Sequence, residues 1–103
     1  KSSNTKLCLN FITGHKQIKI NSRKINYDYL VNTEGKILVY MGVSQIESIR
    51  NSLIKNGMKK NTKISIISNA SLENQIIYNT NLMDVTNFVE ENEVKPPSII
   101  IIK

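Results

Sequence analysis

Cysteine is nearly absent: Cys8 is the single one. No internal disulfide framework can form, and a reducing compartment fits this usage. Cys8 sits in an apolar run and is expected to be a small buried hydrophobe rather than a nucleophile. The sole histidine is His15, so soft ligands are too few for a zinc cluster, and no metal site is expected. Glycine is scarce too: Gly14, Gly35, Gly42 and Gly57 stand apart, never at the spacing of a phosphate-cradling loop. Long apolar runs are missing. Ile99 to Ile102 is followed by a lysine, far short of the roughly 20 residues needed to cross a bilayer, so no membrane association is expected. The opening "KSSNTK" has no apolar stretch of the kind that marks a secretory signal. Neither a Ser-His-Asp set nor a pair of carboxylates stands at a defensible spacing, so no catalytic residue is nominated.

Acidic residues are also few, 8 against 14 lysines and arginines, for a net charge of +6. The lysines are scattered: Lys16, Lys19 and Lys24 in one stretch, Lys55, Lys59, Lys60 and Lys63 in another. Aromatic residues do not interleave with them, as stacking on single strands requires, so no nucleic-acid partner is expected. The abundance of Ile, Asn and Lys matches the bias of an AT-rich genome. A solvated basic surface is the main reading, with attraction to a carboxylate- or phosphate-bearing ligand a lesser one.

At 103 residues the chain makes a single domain, large enough to bury roughly two-thirds of its unfolded surface. It has no initiator methionine and stops directly after a strand-like run at Lys103, which reads as an excised piece of a longer protein.

Strand and helix signals alternate along it. Leu7 to Ile12 reads as a strand, and Gln17 to Arg23 as a short exposed strand or an arm. "INYDYL" reads as a helical turn. Ile37 to Tyr40 is a continuous apolar run of the buried-strand type. The best-signalled helix follows: Ser44 and Glu47 form a capping box, Ile46, Ile49, Leu53 and Ile54 recur at helical spacing, and Asn56-Gly57 supplies the stop. Ile64 to Ile67 is a second buried strand, so the segment reads as a right-handed βαβ unit with parallel strands. After the polar loop "SNASLEN" come a strand over Gln75 to Tyr78 and a helix capped by Asn81, with Asp84 in its first turn and an apolar stripe of Leu82, Val85, Phe88 and Val89. Pro96-Pro97 precedes a last strand, Ile99 to Ile102. The fold class is α/β, a mixed, roughly five-stranded open sheet with flanking helices.

Open α/β sheets bind ligands beyond the carboxyl ends of parallel strands. Those ends are Tyr40-Met41-Gly42 and Asn69-Ala70. Gly42 and Ala70 let a ligand approach the backbone, and Met41 offers an adaptable apolar surface. The plainer reading makes Met41 core filler and Gly42 a turn.

Four motifs sharpen this. "FITGH", "LVYMG", "ISNASLENQ" and "VKPPSIIII", in that order from about Leu7 to Ile102, resemble the C-terminal half of uroporphyrinogen-III C-methyltransferases, of the tetrapyrrole methylase superfamily. That family carries "VTGH", "YMG", "V-x-N-[AG]-[ST]" followed closely by Gln, and "KPPAII". The resemblance implies a cytoplasmic homodimer that lodges S-adenosylmethionine between two α/β domains and methylates uroporphyrinogen III twice, giving precorrin-2 for sirohaem or cobalamin. Residues 1–103 would be the second domain, the first being absent, and such a piece is expected to be inactive alone. Met41 matches the family's cofactor-contacting methionine and Ala70 the small residue whose backbone approaches the cofactor. Tyr40, Gly42 and Asn69 match their supporting neighbours, and Thr13, Gly14 and His15 match a Thr-Gly-His with a substrate-side or structural role. The sequence departs from the family at both ends: Lys1-Ser2-Ser3 stands where a Thr-His-Arg run is usual, and Lys103 where a glycine is common. A precorrin methylase of the same superfamily, or a non-enzymatic basic binding module, is the alternative.

Overall fold

The computed structural model describes residues 8–21, 24–40, 45–69, 73–94 and 97–103. Six strands and three helices follow in the order β1 Cys8–Thr13, β2 Lys16–Ile20, α1 Tyr27–Asn32, β3 Lys36–Tyr40, α2 Ile46–Lys55, β4 Lys63–Ser68, β5 Ile76–Asn81, α3 Val85–Glu91 and β6 Ser98–Ile102.

Alternation explains the strands. In β1, Leu9 and Phe11 are buried while their neighbours are not, and Ile64 and Ile66 of β4 repeat the pattern. Capping explains the helices. The Asn26 Oδ1 accepts from the Tyr29 N–H at 3.0 Å and opens α1. Helix α2 buries Ile46, Ile49 and Leu53 and ends in a Schellman motif, in which the Gly57 N–H donates to the Ile54 carbonyl at 3.0 Å and that of Met58 to Leu53 at 2.9 Å. Gly57 takes φ +107°, a conformation open to glycine at little cost. Ser44, the expected cap of α2, lies outside the described residues; Gln45 stands at the boundary without a side-chain cap bond. Asn81 acts as the sequence suggests, its Oδ1 accepting from the Asp84 N–H at 2.8 Å, although the helix proper begins at Val85.

The strand order is β2-β1-β3-β6-β4-β5, and every described neighbour pair is antiparallel. The α/β class and the open sheet stand, the sheet expected to be mixed is antiparallel at every described pairing, and two refinements follow. The segment after the first turn is a paired strand, β2, which raises the count to six. The expected parallel pair, β3 and β4, does run parallel, but as next-nearest neighbours with β6 between them. Helix α2 crosses over β6 rather than joining adjacent strands, and local patterning carries no information about a strand that arrives later in the chain.

Helix residues Leu30, Ile46, Ile49, Leu53, Val85 and Val89 form one core with the inward strand residues, among them Phe11, Val39, Ile66 and Ile100. Described helices therefore cover one face of the sheet only. Cys8 corrects the expectation of a buried thiol: it is exposed, because it begins β1 opposite Tyr40 on the uncovered face.

Gly35 shows how closely the layers meet. A Cβ there would lie 2.5 Å from the Ile12 carbonyl oxygen and 2.7 Å from the Phe11 ring. Gly35→Ala should lower the unfolding free energy by about 1–3 kcal/mol through overpacking, measured by urea denaturation; an unchanged midpoint would show that this turn yields freely.

Candidate functional site

The antiparallel order brings particular residues to each end of the sheet. Tyr40 pairs with Ile99, and Ile99 also pairs with Ile67. Tyr40 and the end of β4 thus flank the first residues of β6, two strand spacings or roughly 10 Å apart. Tyr40 and Asn69, nominated from sequence on two separate segments, are brought to the same end. Met41, Gly42 and Ala70 lie outside the described residues.

Asn69 is half-buried and takes φ +57°, the left-handed region that asparagine tolerates better than other residues bearing a Cβ. Its backbone turns the chain sharply off the end of β4. A short amide side chain suits this conformation, which answers at the level of local structure why an asparagine stands there.

Ser68 and Ser98 are at this end too, and sequence reading missed both. They face each other in register across β4 and β6, at 2% and 4% exposure, and are the buried polar residues among those described. All other inward positions of these two strands are isoleucine. The signal was available in "KISIIS" and "SIIII", where a hydroxyl replaces isoleucine at the last inward position of β4 and the first of β6. This end combines Tyr40 on the open face, a serine pair buried on the helix face and the turned backbone of Asn69.

Thr13, Gly14 and His15 are elsewhere. They form the hairpin between β1 and β2, with Gly14 at φ +61° and His15 exposed. Five residue steps of β1 separate them from the Cys8–Tyr40 pair, roughly 17 Å. A cleft of about 450 Å³ also opens at the hairpin end, between the turn after α1 and the loop after α2, with Thr33, Met58 and Lys59 in its walls. A smaller one of about 220 Å³ lies between β2 and α1. Neither holds a residue nominated from sequence. Among the described residues, no group of His, Cys, Asp or Glu could hold a metal ion, and no helix is long and apolar enough to cross a membrane.

No protein-family model matches the chain. Individual relatives do. A siroheme synthase of Nitrosomonas eutropha is 32% identical over 92 residues, 89% of this chain and 19% of the relative. An S-adenosyl-L-methionine-dependent uroporphyrinogen III methyltransferase of Methanosarcina barkeri is 26% identical over 92 residues, 36% of its length. The chain is thus similar over most of its length to part of these two enzymes. Solved structures agree on the fold: a cobalt precorrin-4 methyltransferase superposes with TM-score 0.69 over 87% of this chain and 36% of its own, at 13% identity. A Thermus thermophilus uroporphyrin-III C-methyltransferase complexed with S-adenosylhomocysteine does so with 0.56 over 65% of this chain and 28% of its own, at 24% identity. The chain thus spans about a fifth of its siroheme synthase relatives and about a third of these two methyltransferases.

The conformation of Asn69 can be tested directly. Asn69→Gly should leave stability within a few tenths of a kcal/mol, whereas Asn69→Val should cost about 1–2 kcal/mol. Equal urea midpoints for the two variants would mean that the turn after β4 imposes no such conformation.

Proposed function

We propose that this chain is the C-terminal part of an S-adenosylmethionine-dependent methyltransferase that converts uroporphyrinogen III to precorrin-2, on the route to sirohaem or cobalamin. The observation that carries the reading is that Tyr40 and Asn69 stand at the same sheet end in a chain aligned over 89% of its length with a siroheme synthase. The described residues of that end are compatible with the cofactor: half-buried Tyr40 on the open face, two hydroxyls buried on the helix face, and a backbone turned at Asn69.

S-adenosylmethionine supplies a methyl group activated on a sulfonium sulfur. The chain's residues hold and orient. Met41, Gly42 and Ala70 would hold it, the methionine as an apolar surface and the two small residues by leaving room beside the backbone. Tyr40 and Asn69 set the exits of the two strands that carry these contacts. Methyl transfer to a nucleophilic ring carbon depends mainly on alignment and exclusion of water, which an apolar wall provides. Thr13, Gly14 and His15 act at the other sheet end, so any substrate-side role is exercised away from Tyr40. A preceding α/β domain completes the cofactor site, and the whole enzyme works as a cytoplasmic homodimer. The net charge of +6 suits a substrate rich in carboxylates.

A methylase of a later corrin precursor is the second reading. The cobalt precorrin-4 methyltransferase covers more of the chain than the uroporphyrin enzyme does, but at 13% identity that likeness supports the fold alone.

Isothermal titration calorimetry with S-adenosylhomocysteine, on a polypeptide that continues upstream of Lys1 through the preceding domain, should show binding. Met41→Asp should weaken it by about tenfold or more, about 1.4 kcal/mol, with little change in the unfolding midpoint; equal affinity would return Met41 to core filler. The 103-residue chain alone should show no turnover of uroporphyrinogen III in a methyl-transfer assay, and turnover would overturn the two-domain reading.

A further inference from the structure

Lysines that look scattered in the sequence are gathered by the sheet. Ile102 of β6 pairs with Ile37 on one side and with Ile64 on the other, so the next residues outward along the three strands, Lys36, Lys103 and Lys63, stand side by side. The Lys103 N–H donates to the Lys63 carbonyl at 3.2 Å and holds that register. Ile37, Ile64 and Ile102 are buried in the helix-side core, and side chains alternate along a strand. The three lysines therefore face the other way, and all are exposed. Adjacent strands lie about 4.8 Å apart, which sets Lys36 and Lys63 roughly 10 Å from each other with Lys103 between them. The groups around them are donors. Ser65, the next outward residue of β4, donates its hydroxyl to the Asn79 Oδ1 at 3.3 Å. The Asn81 Oδ1 accepts from the Asp84 N–H, so each amide has its NH2 group left to donate. Among the described strands no residue is an aspartate or glutamate. The acids nearest in sequence, Glu34 and Asp84, lie in turns outside the strands.

Like charges directly opposite one another on a sheet face are destabilising. Lysine on an edge strand guards against pairing with another chain, but β3, β6 and β4 are inner strands, where no such guard is needed. The row is a cost to the fold that a bound anion relieves. We propose that it binds a linear phosphate chain, an inorganic oligophosphate or the phosphate tail of a nucleotide, laid across the three strands. Ammonium groups take phosphate as point charges, whereas planar carboxylates are matched best by arginine forks. No described strand carries an arginine. Three positive charges at even spacing along one line suit a chain of negative charges better than a single one. No aromatic side chain stands beside the row to stack a base, so the phosphates alone are held and the two sources bind alike. The site lies at the opposite end of β3 from Tyr40. It is separate from the candidate cofactor site, and its test needs neither methyl donor nor tetrapyrrole.

The probe is sodium tripolyphosphate, titrated into the chain with its carboxyl terminus amidated so that the row carries side-chain charges alone. Exposed charge contacts in water are individually weak, so calorimetry at ~0.05 M salt should give a Kd on the order of 1 mM or below, weakening about tenfold by ~0.3 M. Lys36→Gln and Lys63→Gln should each weaken binding about fivefold and, without ligand at low salt, raise the urea midpoint. Lys24→Gln makes the same change in net charge away from the row and should leave affinity within about twofold. Citrate should bind at least about fivefold more weakly than tripolyphosphate, and ATP should match it within about threefold. Should a variant unfold, the parent still decides: tripolyphosphate should shift the amide NMR signals of Lys36, Lys63, Ser65 and Lys103 and leave those of Cys8 and Tyr40 fixed. Absence of binding at low salt, an equal loss in Lys24→Gln, a lowered midpoint in both row variants, or citrate binding as tightly as tripolyphosphate would each overturn the proposal. ATP binding tenfold tighter would do the same, since the base would then be recognised.

Discussion

The insertion of β6 between β3 and β4 is the constraint on which the rest depends. Its residues pair on both sides at once, Ile100 with Val39 and with Ile66, Ile102 with Ile37 and with Ile64. The inward residues Ile100 and Ile102 are fully buried. Remove this strand and the sheet falls into two separate three- and two-stranded pieces joined only through the helices. Because β6 comes from the end of the chain, the central pairings join residues far apart in sequence. Such contacts form only after a large loop-closure cost has been met, which favours a cooperative, slow-closing sheet over local assembly.

The same insertion decides where a site can be. It separates β3 from β4 by one strand while keeping them parallel, so their carboxyl ends share an edge without touching. The gap between them is floored by the start of β6, where Ser98 stands beside Ser68. Hydroxyls buried next to each other in otherwise apolar strands carry a desolvation cost unless they are hydrogen-bonded, and Ser68 does have a partner.

Much of this was legible in the residues. Asn56-Gly57 spelled out the Schellman stop and Asn81 the cap before α3, because both are short-range devices whose partners lie within a few residues. Strand order was not legible, since neither β3 nor β4 encodes the strand that will lie between them. Cys8 was misplaced for a related reason: its apolar neighbours argued for burial, but they alternate faces and it falls on the uncovered one. Tyr40 and Asn69 lie at the same sheet end, with β6 between their strands rather than in direct pairing. The hairpin residues Thr13 to His15 share motif order with the site residues but not location, and linear order carries no information about which end of a strand a turn occupies.

The runs "ILVY" and "SIIII" contain a further lesson. Continuous apolar strands are the mark of sheets covered on both faces, whereas the described helices cover one. The composition of these strands therefore exceeds what the chain's own core requires: Val39, Ile100 and Ile102 satisfy the helices, and Leu38, Ile99 and Ile101 face the other way. Solubility alone would favour polar residues at those outward positions, at no loss to the helix-side core. Their retention leaves an apolar face that the described core does not use. The end at Tyr40 and Asn69 is likewise walled on one side by these residues. A ligand held there would need a further surface to exclude water.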